Sequence, residues 1–332
     1  MLILRRTDVA DALAGRELEI IDLVADAYRL HDEGATALPH STFLRFPEEL
    51  HARDRIIGLP AYRGGPAPVA GMKWIASFPG NVSAGLERAS ASITLNSLEN
   101  GRPSAFLEGS VISAKRTAAS AALAARVLTE QAPPTSVALV GCGVINLEIL
   151  RFLSAALPSL REAALYDMDP ARAEDFARTC AAEVPAVKAY PVTGLEDALA
   201  AHPLVSFATT AGAPHTDLSA CAPGTTVLHI SLRDLTVDTV LGSLNIVDDA
   251  DHVCRERTSL HLAEQRTGNR DFVAAPIGAL LRGTATLDRD PGRPVVYSPF
   301  GLGVLDIALA EYVREQAERS GRGIRVDDFL DS

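Results

Sequence analysis

The chain has 332 residues, 47% of them hydrophobic, which suits one large or two ordinary domains with packed cores. Acidic residues outnumber basic ones by 42 to 31, and the net charge of −11 argues against nucleic acid or an anionic membrane as a partner. No apolar run reaches the roughly 20 residues of a membrane helix, Met1-Leu-Ile-Leu-Arg-Arg is too short and wrongly ordered for a signal peptide, and four scattered cysteines without a Cys-x-x-Cys pair fit a reducing, cytoplasmic setting.

In chain order, Leu2–Leu4 reads as a strand, and Thr7 is placed to cap a helix over Asp8–Leu13. Glu17–Glu33 is amphipathic, with Leu18, Ile21, Val24, Ala25 and Tyr28 on one stripe and Gly34 as its stop. From His40 to Ser113 the pattern turns β-like, with strands expected at Ile56–Pro60, Val69–Ser77, Ser92–Asn96 and Ala105–Glu108. The Asn-Gly pair in Glu99-Asn-Gly-Arg102 signals a hairpin. This first segment is mixed α+β. An Ala-rich helix follows over Thr117–Glu130 and stops at Pro133-Pro134.

Strands and helices then alternate. Strands are expected at Val137–Val140, Ala163–Tyr166, Val187–Tyr190, Leu204–Ala208, Thr226–Ile230 and Asn245–Val247, with helices at Ile145–Leu157 and Ala171–Ala182. Asp169-Pro170 starts the second helix, with Asp at N-cap and Pro at N1. The alternation predicts a doubly wound parallel sheet. Val295–Tyr297 reads as a further strand and Leu302–Ala317 as a terminal amphipathic helix.

The run Val137-Ala-Leu-Val-Gly-Cys-Gly-Val-Ile-Asn146 joins a β-type segment to Gly141-x-Gly143 and a helix start. This is the opening of a dinucleotide-binding unit. Gly141 permits the tight turn, Gly143 lets a pyrophosphate approach, and the helix start at Val144 and Ile145 offers free N–H groups to phosphate. Asn146 replaces the third glycine of the fingerprint. The pattern places an acid at the end of the second strand, where Asp167 stands in Leu-Tyr-Asp-Met-Asp. A carboxylate there accepts from ribose hydroxyls and repels a 2′-phosphate, favouring NAD over NADP; the plainer reading is an Asp that begins the next turn. Thr209 and Thr210 follow the fourth strand and either line the cofactor or form an ordinary turn.

Only Lys73, Lys115 and Lys188 are lysine. Lys73 lies in the apolar run Val69-Ala-Gly-Met-Lys-Trp-Ile75, where a buried lysine must be paired or functional. Burial would bring its pKa toward acid–base use; the alternative is a solvated lysine on an open sheet face. Arg45, in Thr42-Phe-Leu-Arg-Phe46, and Arg116, after Ser113-Ala-Lys115, can each clamp a carboxylate or form a structural ion pair. Arg233 and Asp234 follow the strand at Thr226–Ile230 and face its cleft, where they serve ligand or cap the next segment. No metal-ligand spacing, serine-hydrolase elbow or phosphate-loop motif is present.

Several motifs fall in order: His40-Ser-Thr-Phe-Leu-Arg45, Gly71-Met-Lys-Trp74, Ser113-Ala-Lys-Arg-Thr-Ala-Ala119, Gly141-Cys-Gly-Val144, Tyr166-Asp-Met-Asp169, Ser231-Leu-Arg-Asp234 and Gly301-Leu-Gly-Val-Leu-Asp306. Over nearly its whole length the chain resembles the ornithine cyclodeaminase/μ-crystallin family. The resemblance implies an α/β protein in which a Rossmann-type domain (116–299) is inserted into an α+β substrate-binding and dimerisation domain (1–115 plus 300–332). It implies NAD as cofactor, with Ser231 among the residues that line it. It makes Lys73 and Asp234 catalytic, and Arg45 and Arg116 the carboxylate holders.

One departure narrows the substrate. Ser-Leu-Arg-Asp stands where ornithine cyclodeaminases carry a Gly-rich Asp-Leu-Gly-Gly-Asp-type segment. Arg233, with Arg45, Arg116, Lys73 and His40, suits a substrate bearing several carboxylates better than a diamine. The segment resembles the branch of N-[(2S)-2-amino-2-carboxyethyl]-L-glutamate dehydrogenases, which make 2,3-diaminopropionate for siderophores and peptide antibiotics. Alternatives within the family are an ornithine or lysine cyclodeaminase, a ketimine reductase, or a non-catalytic μ-crystallin-like ligand carrier. The expected partners are a small polycarboxylate amino acid and a second copy of the chain.

Overall fold

The computed structural model describes residues 1–47 and 54–330, which divide into two units. Met1–Arg116 and Leu302–Ser332 make the first, Thr117–Gly301 the second. The first opens with β1 (Leu2–Leu4), α1 (Arg6–Leu13) and α2 (Glu17–Asp32). Then come β2 (Thr36–Ala37), β3 (Thr42–Arg45), β4 (Arg55–Arg63), β5 (Val69–Ser77), β6 (Ala89–Asn96) and β7 (Pro103–Glu108). With Ile324–Arg325 they form one sheet: that strand, then β1, β7, β6, β5, β4 and β2, with β3 also paired to β4. β1 and β7 are parallel, and the other pairs are antiparallel.

Among the boundaries that differ from expectation, those of α1 and β4 have local reasons. α1 starts at Arg6 rather than after Thr7, because the Asp8 carboxylate accepts both the Arg5 backbone N–H (3.0 Å) and its Nε (3.2 Å). β4 runs past Pro60 to Arg63. Pro60 falls between the stretch of β4 paired with β3, which ends at Gly58, and the stretch paired with β2, which begins at Tyr62. Its missing N–H therefore interrupts no ladder on that edge.

The pleat sorts the sheet into two faces. Lys73 stands opposite Leu59 and Ile93, and all three are buried. The C-terminal helix Gly303–Arg319 packs on β4, β5 and β6. Gly303 makes the approach possible, since a Cβ there would lie 3.1 Å from the Leu59 carbonyl oxygen. Residues 303–310 of this helix are all buried. The opposite face exposes Leu44, Tyr62, Met72, Trp74 and Phe106 at 37–44% of their surface, with the Trp74 ring lying against Gly58.

α3 (Ser110–Leu128) begins seven residues before the expected Thr117, because the Glu108 carboxylate accepts the N–H groups of Ser110 and Val111 at 2.7 and 3.2 Å. Ser113 and Arg116 therefore sit one turn apart on the helix rather than ahead of it.

The second unit contains β8 (Ser136–Val140), α4 (Val144–Ala156), β9 (Glu162–Tyr166), α5 (Pro170–Glu183), β10 (Lys188–Pro191) and β11 (Leu204–Phe207). β12 (Thr226–His229), β13 (Leu244–Val247), β14 (Val273–Pro276) and β15 (Val295–Ser298) complete its sheet. All pairs are parallel, in the order β10-β9-β8-β11-β12-β15-β13-β14. β14, too short and Pro-terminated to read from sequence, closes one edge. The order reverses between β8 and β11, which opens the crevice where doubly wound sheets bind ligands. Val140, Val205, Phe207, Val227 and Val296 form its dry centre.

Candidate functional site

The second unit carries a dinucleotide turn. Gly141 has φ +94°, and a Cβ there would lie 2.6 Å from the Ala208 carbonyl oxygen, so the chain itself demands glycine. At Gly143 an added Cβ would meet nothing within 4 Å. Packing against the described residues does not explain that glycine, and the space beside it is open to an outside group. Gly143 is the N-cap of α4 and supplies no side-chain cap, so the first-turn N–H groups at Val144 and Ile145 are left for an anion. Asn146, in place of the third glycine, is buried. It donates to the carbonyls of Val140 (3.0 Å) and Gly141 (2.7 Å) and accepts from Ser206 Oγ (2.8 Å), pinning the turn to the sheet.

Asp167 lies just past β9. One oxygen accepts the Cys142 N–H at 2.9 Å and the other the Asp169 N–H at 3.1 Å, which ties the acid to the glycine turn. Arg172 Nε stands 3.8 Å from it. Asp169 caps α5 by accepting from the Ala171 N–H at 3.1 Å. The residues present fit a bound dinucleotide: an open cradle, free helix N–H groups and an acid at the ribose position. Thr210 is exposed beside them, whereas the hydroxyls of Thr209 and Ser231 are turned to Asp234.

Asp234 is fully buried. Its Oδ1 accepts from Thr209 Oγ1 and meets His215 Nε2 at 3.2 Å, and its Oδ2 accepts from Ser231 Oγ at 2.5 Å and meets His229 Nε2 at 3.3 Å. Burial alone would raise its pKa, but the hydrogen bonds from His229, Ser231 and Thr209 outweigh that and hold the carboxyl well below the usual range. Arg233 turns elsewhere and donates to the Glu256 carbonyl at 2.7 Å. The two segments so joined contain Leu232, Glu256 and Arg257, all non-glycine residues at positive φ, a strained arrangement.

The first unit holds a buried ionic cluster. Lys73 Nζ lies 2.7 Å from Asp306 Oδ2 and 3.2 Å from Ser113 Oγ, and Arg116 Nε lies 3.0 Å from Asp306 Oδ1. Lys73 and Asp306 are almost fully buried. Burial pushes the Lys73 ammonium down to about 8, with Arg116 acting the same way and Asp306 opposing both. β5 supplies Lys73, α3 supplies Ser113 and Arg116, and the C-terminal helix supplies Asp306. Arg45 shares the Lys73 face of the sheet at an exposed strand end, its guanidinium 5.4 Å from the centre of the Phe43 ring. His40 is exposed in the loop before β3. Lys73 and Arg116 are thus brought together, while Arg45 and His40 stand outside that cluster.

Sequence reading missed Asp306 as a site residue. The available signal was a lone carboxylate inside the apolar run Val304-Leu-Asp-Ile-Ala308, which must be paired if buried. His215 and His229, which flank Asp234, had no spacing to betray them. Among the described residues no group of His, Cys, Asp and Glu could hold a metal ion, and no helix is long and apolar enough to cross a membrane.

A parallel sheet that reverses beside a glycine turn, with an acid tied to that turn, defines a dinucleotide-binding α/β protein of the dehydrogenase type. The sequence profile of the ornithine cyclodeaminase/mu-crystallin family matches residues 2–321, and the chain belongs to that family. It is 26% identical over 327 residues to N-((2S)-2-amino-2-carboxyethyl)-L-glutamate dehydrogenase of Staphylococcus aureus (strain NCTC 8325 / PS 47), covering 97% of each chain. The solved Delta(1)-pyrroline-2-carboxylate reductase of Thermococcus litoralis, in complex with NADH and L-proline, superposes with a TM-score of 0.89 at 23% identity, over 98% of this chain and 100% of that one. An archaeal alanine dehydrogenase dimer with bound NAD gives 0.86 at 24% identity, over 99% of both chains.

Proposed function

We propose that the chain is an NAD-dependent dehydrogenase that oxidatively hydrolyses N-(2-amino-2-carboxyethyl)-L-glutamate to 2-oxoglutarate and L-2,3-diaminopropionate. That product feeds siderophore or peptide natural-product synthesis. The observation that carries the reading is the buried Lys73–Asp306–Arg116 cluster, a cationic set suited to a carboxylate-bearing amine, in a chain that also has a dinucleotide-type glycine turn. The Staphylococcus aureus relative, matched end to end, bears the name of this activity.

Gly141, Gly143, the α4 N-terminus and Asp167 would hold NAD⁺, which would supply the hydride acceptor. Arg116 Nε is engaged by Asp306, and the terminal nitrogens of the same planar fork hold a substrate carboxylate; Arg45 holds another. To release hydride from the glutamate Cα the secondary amine must be neutral. Lys73, poised at about 8, takes the amine proton and later assists addition of water to the imine. Asp234 is a poor base, since both its oxygens are occupied and it stays ionised far below neutral pH. Loss of hydride and a proton gives the C=N bond. Water then adds across it, and C–N cleavage leaves the ketone oxygen on 2-oxoglutarate and the amine on diaminopropionate.

Absorbance at 340 nm with NAD⁺ and the synthetic secondary amine, against ornithine, tests the reading. NADH formed from the secondary amine supports it. Ammonia released from ornithine without net NADH identifies a cyclodeaminase, and ligand binding without turnover identifies a carrier. Lys73→Ala should lose about 10²–10⁴ in rate, and turnover at the native rate would remove Lys73 from the chemistry. The exposed apolar sheet face at Leu44, Tyr62, Met72, Trp74 and Phe106 is the surface for pairing with a second copy. Light scattering should give twice the monomer mass.

A further inference from the structure

We propose that Arg88, held by Ser77, forms a second carboxylate subsite on the Lys73 face of the sheet and receives the far carboxylate of an elongated polycarboxylate substrate. The inference rests on the proposed polycarboxylate reading and names the residue that would distinguish such a substrate from a monocarboxylate.

Arg88 immediately precedes β6 and is half-buried. Its Nη1 donates to Ser77 Oγ at 2.9 Å. Ser77 is buried and has the same parity on β5 as Lys73, so the guanidinium reaches the face that carries the catalytic cluster. Burial lowers the Arg88 pKa, and no carboxylate of the described residues offsets it. The adjacent acid, Glu87, is occupied by both terminal nitrogens of Arg6, at 2.8 and 2.7 Å. A half-buried guanidinium with no acid partner among the described residues loses hydration without compensation from them, and a ligand anion would restore the balance.

The position also suits a long ligand. Ser77 is four residues beyond Lys73, about 13 Å along a strand. Ile57 and Ile75 lie on the same face between the two ends, and both are partly exposed. Arg45 and Arg55 stand opposite each other, and Arg55 opposite Ser77, so two arginines share the cross-strand row that includes Ser77. A short amino acid such as alanine or proline satisfies Arg116 and Lys73 alone. A ligand with carboxylates at both ends spans the apolar floor to Arg88, with the long basic side chains leaning inward to close the gap.

The test uses the full chain loaded with NADH and compares native protein with Arg88→Gln and Arg88→Lys. Glutarate and propionate are the probes, with binding read by calorimetry. Native protein should bind glutarate more tightly than propionate. Arg88→Gln should lose that preference by about 10- to 100-fold, the worth of a hydrogen bond to a charged group, with propionate and NADH affinities unchanged. Arg88→Lys should keep part of it, and it carries the test if Arg88→Gln fails to hold NADH. Equal binding of the two probes by native protein, or an undiminished preference in both variants, overturns the subsite. If native protein discriminates the probes through Arg88 yet leaves the secondary amine unoxidised, the subsite stands and the proposed reaction falls.

Discussion

Replacing Asp306 by Asn keeps the shape of the side chain and removes the charge that Lys73 and Arg116 share. The structure supplies the magnitude. Two charge-assisted contacts, at 2.7 and 3.0 Å, end on one fully buried carboxylate. Removing one partner of such a cluster costs about 3–5 kcal/mol of stability, because the remaining charges stay buried without an opposite partner. The effect on chemistry has a definite sign. Asp306 is the group that raises the Lys73 pKa against burial and Arg116, so without its charge Lys73 loses its proton more readily. A neighbouring opposite charge is worth about 1–3 pKa units. Lys73 acts when neutral, so kcat/KM rises with pH through its pKa, and in Asp306→Asn this acidic limb should move to lower pH by about that amount. The assay is NADH formation at 340 nm across pH 6 to about 10, the range that brackets the ordinary lysine value, with Asp306→Glu as the charge-retaining control. A limb that stays put, or moves upward, refutes the assignment of that limb to Lys73 and of Asp306 as the group that poises it.

The glycine turn offers a paired test: Gly141→Ala combines positive φ with a 2.6 Å contact and should cost about 1–3 kcal/mol in thermal unfolding, whereas Gly143→Ala should melt like the native protein but bind NADH at least about tenfold more weakly in a fluorescence titration. Asp167→Ser should shift preference toward NADP⁺ without an added arginine, because Arg172 already stands 3.8 Å from the carboxylate; an unchanged ratio of kcat/KM for the two cofactors would count against Asp167 as the ribose acid. Asp234→Asn should lower stability by about 1–3 kcal/mol at neutral pH, the cost of weakened bonds to a buried carboxylate. Its folded pKa is depressed, so the charge contributes above the ordinary carboxylate range and is lost as pH falls through the folded value. The gap between variant and native melting temperatures should therefore narrow only below about pH 4.

The elements most legible in the sequence were those governed by near neighbours. Val69–Ser77 has the bounds its apolar pattern indicates, and Asp169-Pro170 begins α5 as cap and first residue. The Asn-Gly hairpin appears with Gly101 at φ +74°. Errors arose where a side chain a few residues away moved a boundary: Asp8 drew α1 back to Arg6, and Glu108 drew α3 back to Ser110. At the site, the glycines, Asp167, Lys73 and Arg116 could be singled out because each breaks or completes a short pattern. Arg233 was expected to face the cleft, and its bond to a backbone carbonyl on a distant turn left no trace in the local sequence.

By itself the sequence determined the doubly wound sheet and the dinucleotide turn, and it singled out Lys73 as a lysine that must be paired or functional if buried. These follow from periodicity, from glycine sterics and from the cost of burying charge, all of which act within one element. Only tertiary structure decided what those residues do to one another. Lys73 and Asp306 are 233 positions apart, and no local pattern records that a helix returning from the far end of the chain sets a carboxylate against the ammonium. The same holds for Asp234, whose aspartate was visible but whose ring of hydroxyls and imidazoles was not. A pKa depends on burial and on the charges within a few ångströms, and those are properties of the packed chain.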